Sequence, residues 1–258
     1  MKNVSKVGTL ISGAVFGALV AGSAMAADMA VKAPLLKAPA PVYNWTGCYV
    51  NAGAGYSMWN QDATFESIPG LVPVATATLG GRGWFGTVGV GCDYQVSSSI
   101  VIGVLGDWDF GDIKGQFTDP ADSDVGTESQ KRTWAIGARL GWLVTPTFMT
   151  YVSAGYTQTQ FDQVNFTTIF GPTVDGSMQA QTYQGWFLAS GFEYALSNSF
   201  IPLPPGFFLR SEYRYSTYKA VDIPFLDNLG VPEGDGINSK KFTQSVRTSL
   251  VWRFNMTH

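Results

Sequence analysis

The chain has 258 residues, a formal net charge of −3 and an aromatic content of 14%. The acidic balance argues against a nucleic-acid partner, because nucleic acids are bound by basic surfaces. The 30 glycines and the frequent aromatic residues favour strands, turns and interfacial belts over helices. The composition therefore favours an all-β protein.

The N-terminus has the three parts of a secretory signal peptide. Lys2 and Lys6 precede an apolar run at 7–20, and that run leads into the small residues around Ala26. A transmembrane anchor is the weaker interpretation, because the run is short and no stop-transfer charges follow it. We therefore predict that residues 1–26 are removed after Ala26 when the protein is exported.

From position 45 onward, apolar and polar residues alternate in eight segments, each long enough to cross a bilayer as a tilted strand. The segments lie at about 46–59, 82–96, 99–110, 131–145, 147–161, 182–196, 206–219 and 241–254. The connections between them alternate in length. Three are short, at 96–99, 145–147 and 197–205, and four are long, at roughly 60–81, 111–130, 162–181 and 220–240.

Short turns on one side and long loops on the other are typical of outer-membrane barrels. The predicted fold is an all-β, eight-stranded antiparallel up-and-down transmembrane β-barrel with short periplasmic turns and four long extracellular loops. The barrel is expected over residues 45–254, after a periplasmic leader at 27–44 that is rich in Pro, Lys and Ala. Residues 255–258 form a C-terminal extension, and the predicted location is the bacterial outer membrane.

Ten charged residues share a face with the small or polar residues of their own segment, while the opposite faces are apolar. Five acids and five bases can balance one another inside a narrow lumen, where buried charges need partners. We expect this lumen charge network to comprise Asp93, Asp107, Asp109, Arg139, Glu193, Arg210, Glu212, Arg214, Arg247 and Arg253. A soluble sandwich or lipocalin-like barrel, with its aromatic faces packed together, is the alternative fold.

Few residues in the chain suit catalysis or ligand binding. The one histidine is His258, outside every segment, so activation of a nucleophile by histidine is unavailable and no enzyme activity is expected. Asp107 and Asp109 face the lumen together, and pairing with Arg139 or another base is the simpler interpretation of their position. The acids at 119–124 lack the spacing of a calcium-binding loop, and neither a metal nor a cofactor is predicted.

Cys48 and Cys92 are the two cysteines, and both belong to the lipid-facing sets of the first two segments. If the connection between these segments folds symmetrically near position 70, the two cysteines lie opposite each other toward the periplasmic end. Export permits a disulfide, but the required Cα and Cβ geometry does not follow from register alone. A disulfide and two free thiols both remain open.

The other bases lie at the loop ends of the segments, at Arg82, Lys131, Arg132, Lys219, Lys240 and Lys241. They can contact the phosphates of lipopolysaccharide, or they are simply solvated at the rim. Because an eight-stranded barrel is filled by its own side chains, we expect a structural and surface-interaction protein. Its expected partners are outer-membrane lipids, lipopolysaccharide and a host or environmental surface ligand. A narrow porin-like channel for small solutes is the alternative function.

Four stretches of the sequence carry a more specific pattern. They are the leader AADMAVKAP…KAPAPVYNWTGCYV, a Gly-Val-Gly at 89–91, SEYRYSTY at 211–218 and the terminal VRTSLVWRF. With these stretches the chain resembles, over essentially its full length, the opacity-type surface antigens of alphaproteobacterial outer membranes, particularly those of rhizobia. The resemblance implies an abundant, porin-like, eight-stranded barrel involved in envelope integrity and host contact. Cys48, where an aromatic residue is expected, departs from the pattern.

The end of the last segment has an implied role of its own. Trp252 and Phe254 lie on its aromatic face, where they would form the periplasmic aromatic girdle. In barrels of this kind a terminal aromatic residue is the signal for the barrel assembly machinery, which is therefore a further expected partner. Here the signal is displaced inward by the four residues at 255–258.

Overall fold

The computed structural model describes residues 44–67, 72–118, 124–168, 174–196, 203–204 and 206–254. The predicted signal peptide with its cleavage site after Ala26, the leader up to position 43 and the extension at 255–258 lie outside the described residues. The described strands are β1 (Gly47–Ser67), β2 (Val72–Gln95), β3 (Ile100–Thr118), β4 (Asp124–Thr145), β5 (Phe148–Phe161), β6 (Val164–Thr168), β7 (Val174–Met178), β8 (Gln181–Ala195), β9 (Phe207–Tyr218), β10 (Val221–Asp227) and β11 (Pro232–Phe254).

Eight of these strands close a barrel in which each strand pairs with the next. The order around the ring is β1, β2, β3, β4, β5, β8, β9 and β11, and β11 returns to pair with β1. This seam is antiparallel and runs from Cys48 opposite Phe254 to Ser67 opposite Asp235. The predicted eight-stranded antiparallel barrel is confirmed, and its closure pairs the backbone of the first strand with that of the last.

In the half of the barrel near the short turns, the outward-facing side chains are mainly apolar. On β4, Ile136, Leu140, Trp142 and Val144 all point outward and are about half exposed or more. We call this surface the apolar outer band, and it comprises the outward-facing residues within 48–58, 84–94, 100–110, 134–144, 148–156, 186–194, 207–215 and 242–254. An apolar exterior with polar residues inside is the arrangement of a barrel wall that faces lipid.

Above this band, toward the long connections, the two faces of the wall exchange polarity. On β1 the outward residues become Asn60 and Asp62, while Trp59, Ala63 and Phe65 point inward and are buried. The upper part of the barrel is therefore built like a soluble protein, with an apolar interior and a polar exterior.

The four long connections contain few irregular residues, because most of their residues form strands of this upper part. Strands β1–β4 and β11 continue through it, while β6 pairs with β4, β7 with β6 and β10 with both β7 and β11. Most residues in the predicted loops at 60–81, 111–130, 162–181 and 220–240 are consequently strand. The strands continue because their inward residues bury apolar surface against one another.

Two apolar clusters fill the interior above and below the charged middle of the barrel. The upper cluster contains Trp59, Ala63, Phe65, Phe85, Ile113, Phe117, Phe161, Val164, Phe166, Met178, Tyr183, Tyr218, Ile223, Phe225 and Ile237. The lower cluster, at the short-turn end, contains Trp45, Tyr49, Val101, Met149, Tyr151, Ala195, Phe208 and Val251. The charged lumen thus lies between two layers of aromatic and aliphatic side chains.

At the short-turn end of the barrel, compact contacts surround Trp45. Its indole N–H donates to the carbonyl of Pro146 at 3.1 Å, and its carbonyl accepts from the Arg253 guanidinium at 3.3 Å. The β9 strand begins after Gly206, which has a φ of +98° and accepts from the Arg253 amide at 2.8 Å. In the described part of the chain, no helix is long and apolar enough to cross a membrane.

Candidate functional site in the barrel lumen

The lower half of the lumen network is organised around one carboxylate, Glu193 on β8. Its oxygens lie 2.6 Å from an Arg253 nitrogen, 2.9 Å from Arg210 and 3.1 Å from Arg139. Asp93 pairs with Arg139 and, at 2.7 Å, with Arg253. The side chains of these five residues are at most 9% exposed, so three guanidinium groups share two carboxylates in a water-poor space.

Aromatic rings cover the guanidinium groups of this lower set. The Arg139 guanidinium carbon lies 4.7 Å from the ring centre of Tyr49, and that of Arg210 lies 4.5 Å from the same ring. Arg253 stands 4.8 Å from the ring centre of Trp45. These cation–π contacts stabilise charge that two carboxylates alone leave uncompensated.

The upper half of the network contains two arginines and three acids. Arg214 contacts Asp107 at 2.7 Å and Glu212 at 2.9 Å, and Arg247 contacts Asp109 at 3.0 Å and Asp107 at 3.2 Å. The surplus base of the lower set and the surplus acid of the upper set therefore cancel. The Tyr151 hydroxyl, which donates to Glu212 at 2.9 Å, connects the two halves.

All ten residues expected in the lumen thus point inward and are ion-paired with one another. Asp107 and Asp109 pair with Arg214 and Arg247, whereas Arg139 lies with Asp93 and Glu193 in the lower half. A cavity of about 20 Å³ beside Asp109 and Arg247 has room for roughly one water molecule.

Lys241 was expected at the rim, and that expectation is wrong. Its side chain is fully buried inside the barrel, where its Nζ donates to Gln61 and, at 2.6 Å, to Glu128. The rings of Phe161 and Trp59 lie 4.2 and 4.8 Å from the same nitrogen. The sequence does not predict this pair, because Glu128 lies in a predicted loop. The parity that Lys241 shares with Arg247 and Arg253 is the signal in the sequence that points it inward.

The Lys241–Glu128 pair lies above the apolar outer band and inside the upper cluster. Burial lowers the pKa of Lys241 to about 8, because the charged ammonium is poorly solvated there, although the Glu128 carboxylate opposes this shift. The charged pair is retained by mutual attraction, by the Gln61 oxygen and by the surrounding rings.

The structure joins Cys48 and Cys92 by a disulfide on the outward face of the barrel. The two residues are direct partners in the β1–β2 ladder, and Cys48 is also the partner of Phe254 across the seam. The bridge therefore fastens the first hairpin at the point where the barrel closes. The two cysteines are 44 residues apart in sequence. A disulfide restricts the unfolded chain more strongly as the loop it closes becomes longer.

The remaining bases expected at the rim do point outward. Arg82 and Arg132 are exposed above the apolar outer band, and Lys131 contacts Asp112 at 2.8 Å and Asp162 at 3.6 Å. Positions 119–123 of the acidic connection lie outside the described residues, and no group of metal-binding side chains occurs among the residues that are described.

Replacing Lys241 tests the buried pair of the upper cluster. Lys241→Met should lower the free energy of unfolding by about 3–5 kcal/mol, because it leaves the Glu128 carboxylate buried without a cation. Adding Glu128→Gln should restore most of the loss, while the exposed control Lys114→Met should change little. Urea unfolding in detergent, followed by tryptophan fluorescence, measures all four proteins.

The same proteins give a pH test. The folded protein has a Lys241 pKa of about 8 against an ordinary value of 10.5, so it binds fewer protons than the unfolded chain between these values. The unfolding free energy of the wild type, relative to Lys241→Met, should therefore rise with pH across that window. A flat difference would contradict the lowering of the Lys241 pKa by burial.

Comparison with known proteins agrees with this architecture. The 31 kDa outer-membrane immunogenic protein of Brucella melitensis is 28% identical over 251 residues, which cover 92% of this chain and 96% of the relative. The outer membrane protein OprG of Pseudomonas aeruginosa has 13% identity and a TM-score of 0.52, over 82% of this chain and 98% of OprG. Neisserial surface protein A, at 15% identity, covers 81% of this chain and 98% of its own, with a TM-score of 0.41.

The family described as the outer membrane protein beta-barrel domain matches residues 14–254, which is most of the chain. Together with the Brucella relative, this match confirms the resemblance to outer-membrane surface antigens and the predicted location in the outer membrane. The short turns accordingly lie on the periplasmic side and the long connections outside the cell. The chain belongs to the outer membrane protein beta-barrel domain family.

Proposed function

We propose that this protein is a non-enzymatic surface barrel whose lumen is closed by its own side chains. In this proposal it contributes to envelope integrity and to contact with a host or environmental surface. The observation that carries the proposal is the lumen network, in which five acids and five bases pair between two apolar clusters.

The energetics of the network support a closed lumen. A solute crossing the barrel would have to separate guanidinium and carboxylate groups that are almost fully buried, such as Arg139 and Glu193. Separating one partner from such a pair costs about 3–5 kcal/mol, and the network contains many linked pairs. Above it, the upper cluster would also have to part, where Trp59 and Phe117 are fully buried.

The non-enzymatic part of the proposal rests on the sequence and on the contacts of its acids. The chain has a single histidine, His258, which follows the last strand. The carboxylates of the lumen are engaged by arginines rather than directed at a cleft, as Asp107 is by Arg214 and Arg247. This arrangement suits structural pairing better than general acid–base work.

A narrow channel for small solutes is the second candidate. The feature that favours it is the polar cavity of about 20 Å³ beside Asp109 and Arg247, which interrupts the packing of the lumen. A water-sized space could become part of a passage if the arginines moved.

Planar-bilayer recording separates the two candidates. The closed barrel should show no reproducible open state on the order of tens of picosiemens, because an eight-stranded barrel is filled by its own side chains. A general porin in the same bilayer serves as the positive control. A reproducible open state of that size in the wild-type protein would establish the channel and overturn the closed barrel.

For surface contact, we propose that the upper part of the barrel presents the interacting residues. The turn between β10 and β11 carries Leu229 and Val231, which are 83% and 55% exposed, and the top of β2 carries Val72 and Val74 at 59% and 65%. Apolar side chains on an otherwise polar exterior are typical of contact surfaces. Lipids and lipopolysaccharide are proposed partners lower on the wall.

For assembly, we propose that Trp252 and Phe254 form the signal for the barrel assembly machinery. Both side chains point outward at the periplasmic end, 49% and 40% exposed, and their ring centres are 5.8 Å apart. Phe254→Ala should reduce outer-membrane insertion more than deletion of 255–258 does. Heat-modifiable migration of the membrane fraction measures insertion, and a stronger effect of the deletion would assign the signal to the extension.

A further inference from the structure

Two lysines lie beside each other just above the apolar outer band, Lys219 directly after the end of β9 and Lys240 in β11. Thr217 on β9 pairs with Phe242 on β11, and Val221 on β10 pairs with Ser239 on β11, so Lys219 and Lys240 lie beside each other between these two pairs. Both side chains are exposed and line the same cavity. Like charges close together on adjacent chain segments repel each other, so this position favours an anion that contacts both ammonium groups.

Neither lysine has an ion-pair partner within 4 Å among the described residues. Across the seam, Lys240 is opposite Asp62, but no ion pair forms between them; its Nζ instead lies 5.2 Å from the ring centre of Phe242. The nearby Asp222 is occupied by the side-chain amide of Asn238. The two ammonium groups therefore remain available to an external anion.

The wall beside these lysines is interrupted. Below the interruption Gly185 pairs with Tyr218, and above it Met178 pairs with Phe225, so both parts keep one register. Between these two pairs the strands are joined by a backbone hydrogen bond from the Lys219 amide to the Gln184 carbonyl, at 2.9 Å. The strands separate here and leave a recess in the outer surface.

This recess is an outward-facing cavity of about 570 Å³ with an amphipathic lining. Lys219, Lys240 and Gln184 line its upper part, and Trp186 and Tyr156 line the part that belongs to the apolar outer band. The Trp186 side chain is 55% exposed. The cavity thus offers cations to a polar headgroup and an aromatic surface to an adjoining apolar chain.

We propose that this recess binds a phosphorylated glycolipid of the outer leaflet. Its phosphate lies between the ammonium groups of Lys219 and Lys240, the Gln184 amide donates to the headgroup, and an acyl chain lies against Trp186 and Tyr156. The site deepens the proposed contact with lipopolysaccharide by assigning it to one place on the wall. Charge-assisted hydrogen bonds to phosphate hold the headgroup there, at the level where the outer leaflet ends.

A solute passing through the interrupted wall is the weaker interpretation. Directly behind the gap, Tyr183 and Ile223 are fully buried in the upper cluster, and the Tyr183 hydroxyl lies 2.8 Å from that of Ser239. An incoming solute would meet packed side chains rather than a passage. The recess is consequently a docking place on the outer surface.

The test uses full-length protein in nanodiscs that contain either bis-phosphorylated lipid A or lipid A stripped of both phosphates. Native mass spectrometry counts the lipid A molecules retained per barrel. The wild type should retain bis-phosphorylated lipid A about tenfold more strongly than the stripped form, and Lys219→Gln/Lys240→Gln should abolish most of this preference. The matched control, Arg82→Gln/Arg132→Gln, removes two outward bases at the same level but outside the recess, and should stay within about twofold of wild type.

Heat-modifiable migration establishes that each variant is folded before it is compared. Equal losses in the lysine variant and the arginine control would mean diffuse rim electrostatics and would overturn the specific site. Trp186→Ala should weaken retention of lipid A without changing its phosphate preference. Displacement by inorganic phosphate alone at millimolar concentration would show that the acyl contact contributes nothing, which would also overturn the lipid assignment. None of these outcomes depends on whether the lumen conducts.

Discussion

A charged group buried in the barrel cannot be left without a partner, and this constraint governs the rest of the structure. The wall presents apolar side chains to lipid, so the polar residues of each strand must point into a lumen that has almost no room for water. The Glu193 carboxylate meets this constraint by accepting hydrogen bonds from three arginines, one each on β4, β9 and β11. These contacts connect strands that are distant in sequence, and they fill the space through which a solute would otherwise pass.

The exchange of polarity above the apolar outer band follows from the change of solvent. Where lipid gives way to water, the outward face becomes polar and the inward face can become an ordinary apolar core. Trp59 and Phe161 pack edge to face at 5.4 Å in that core, and Phe117 stacks on Phe166 at 5.1 Å. Ion pairs thus fill the interior of the barrel within the membrane, and packed aromatic side chains fill it outside the membrane.

Much of this organisation could be predicted from the sequence, because strand parity decides which side chains share a face. Strand parity assigns all ten charged residues to the inward face, where the structure has them. A first hairpin that turns near position 70 also brings Cys48 opposite Cys92, as observed. The register of a closed, alternating barrel is strongly specified by its faces, so such inferences hold over long distances in sequence. The bonded state of the cysteines needed three-dimensional geometry in addition.

The features that the sequence does not predict lie above the apolar outer band, where the surroundings of the wall change from lipid to water. The sequence predicts loops at 60–81 and 111–130, because the apolar residues there occupy the face that carries polar residues lower down. Lys241 and Glu128 were consequently placed in solvent, although they meet in the upper cluster. The interrupted wall near Lys219 could not be foreseen either, because missing backbone hydrogen bonds between two strands leave no mark in the pattern of side chains.

If paired charges in the lumen hold the barrel together, replacing Glu193 by Gln should lower the free energy of unfolding. We expect a loss of about 3–5 kcal/mol, because three buried guanidinium groups lose their shared carboxylate. Asp112→Asn at the exposed rim, where the carboxylate also contacts lysines, should cost less than about 1 kcal/mol. Equal losses in the two variants would mean that the lumen network does not hold the barrel together.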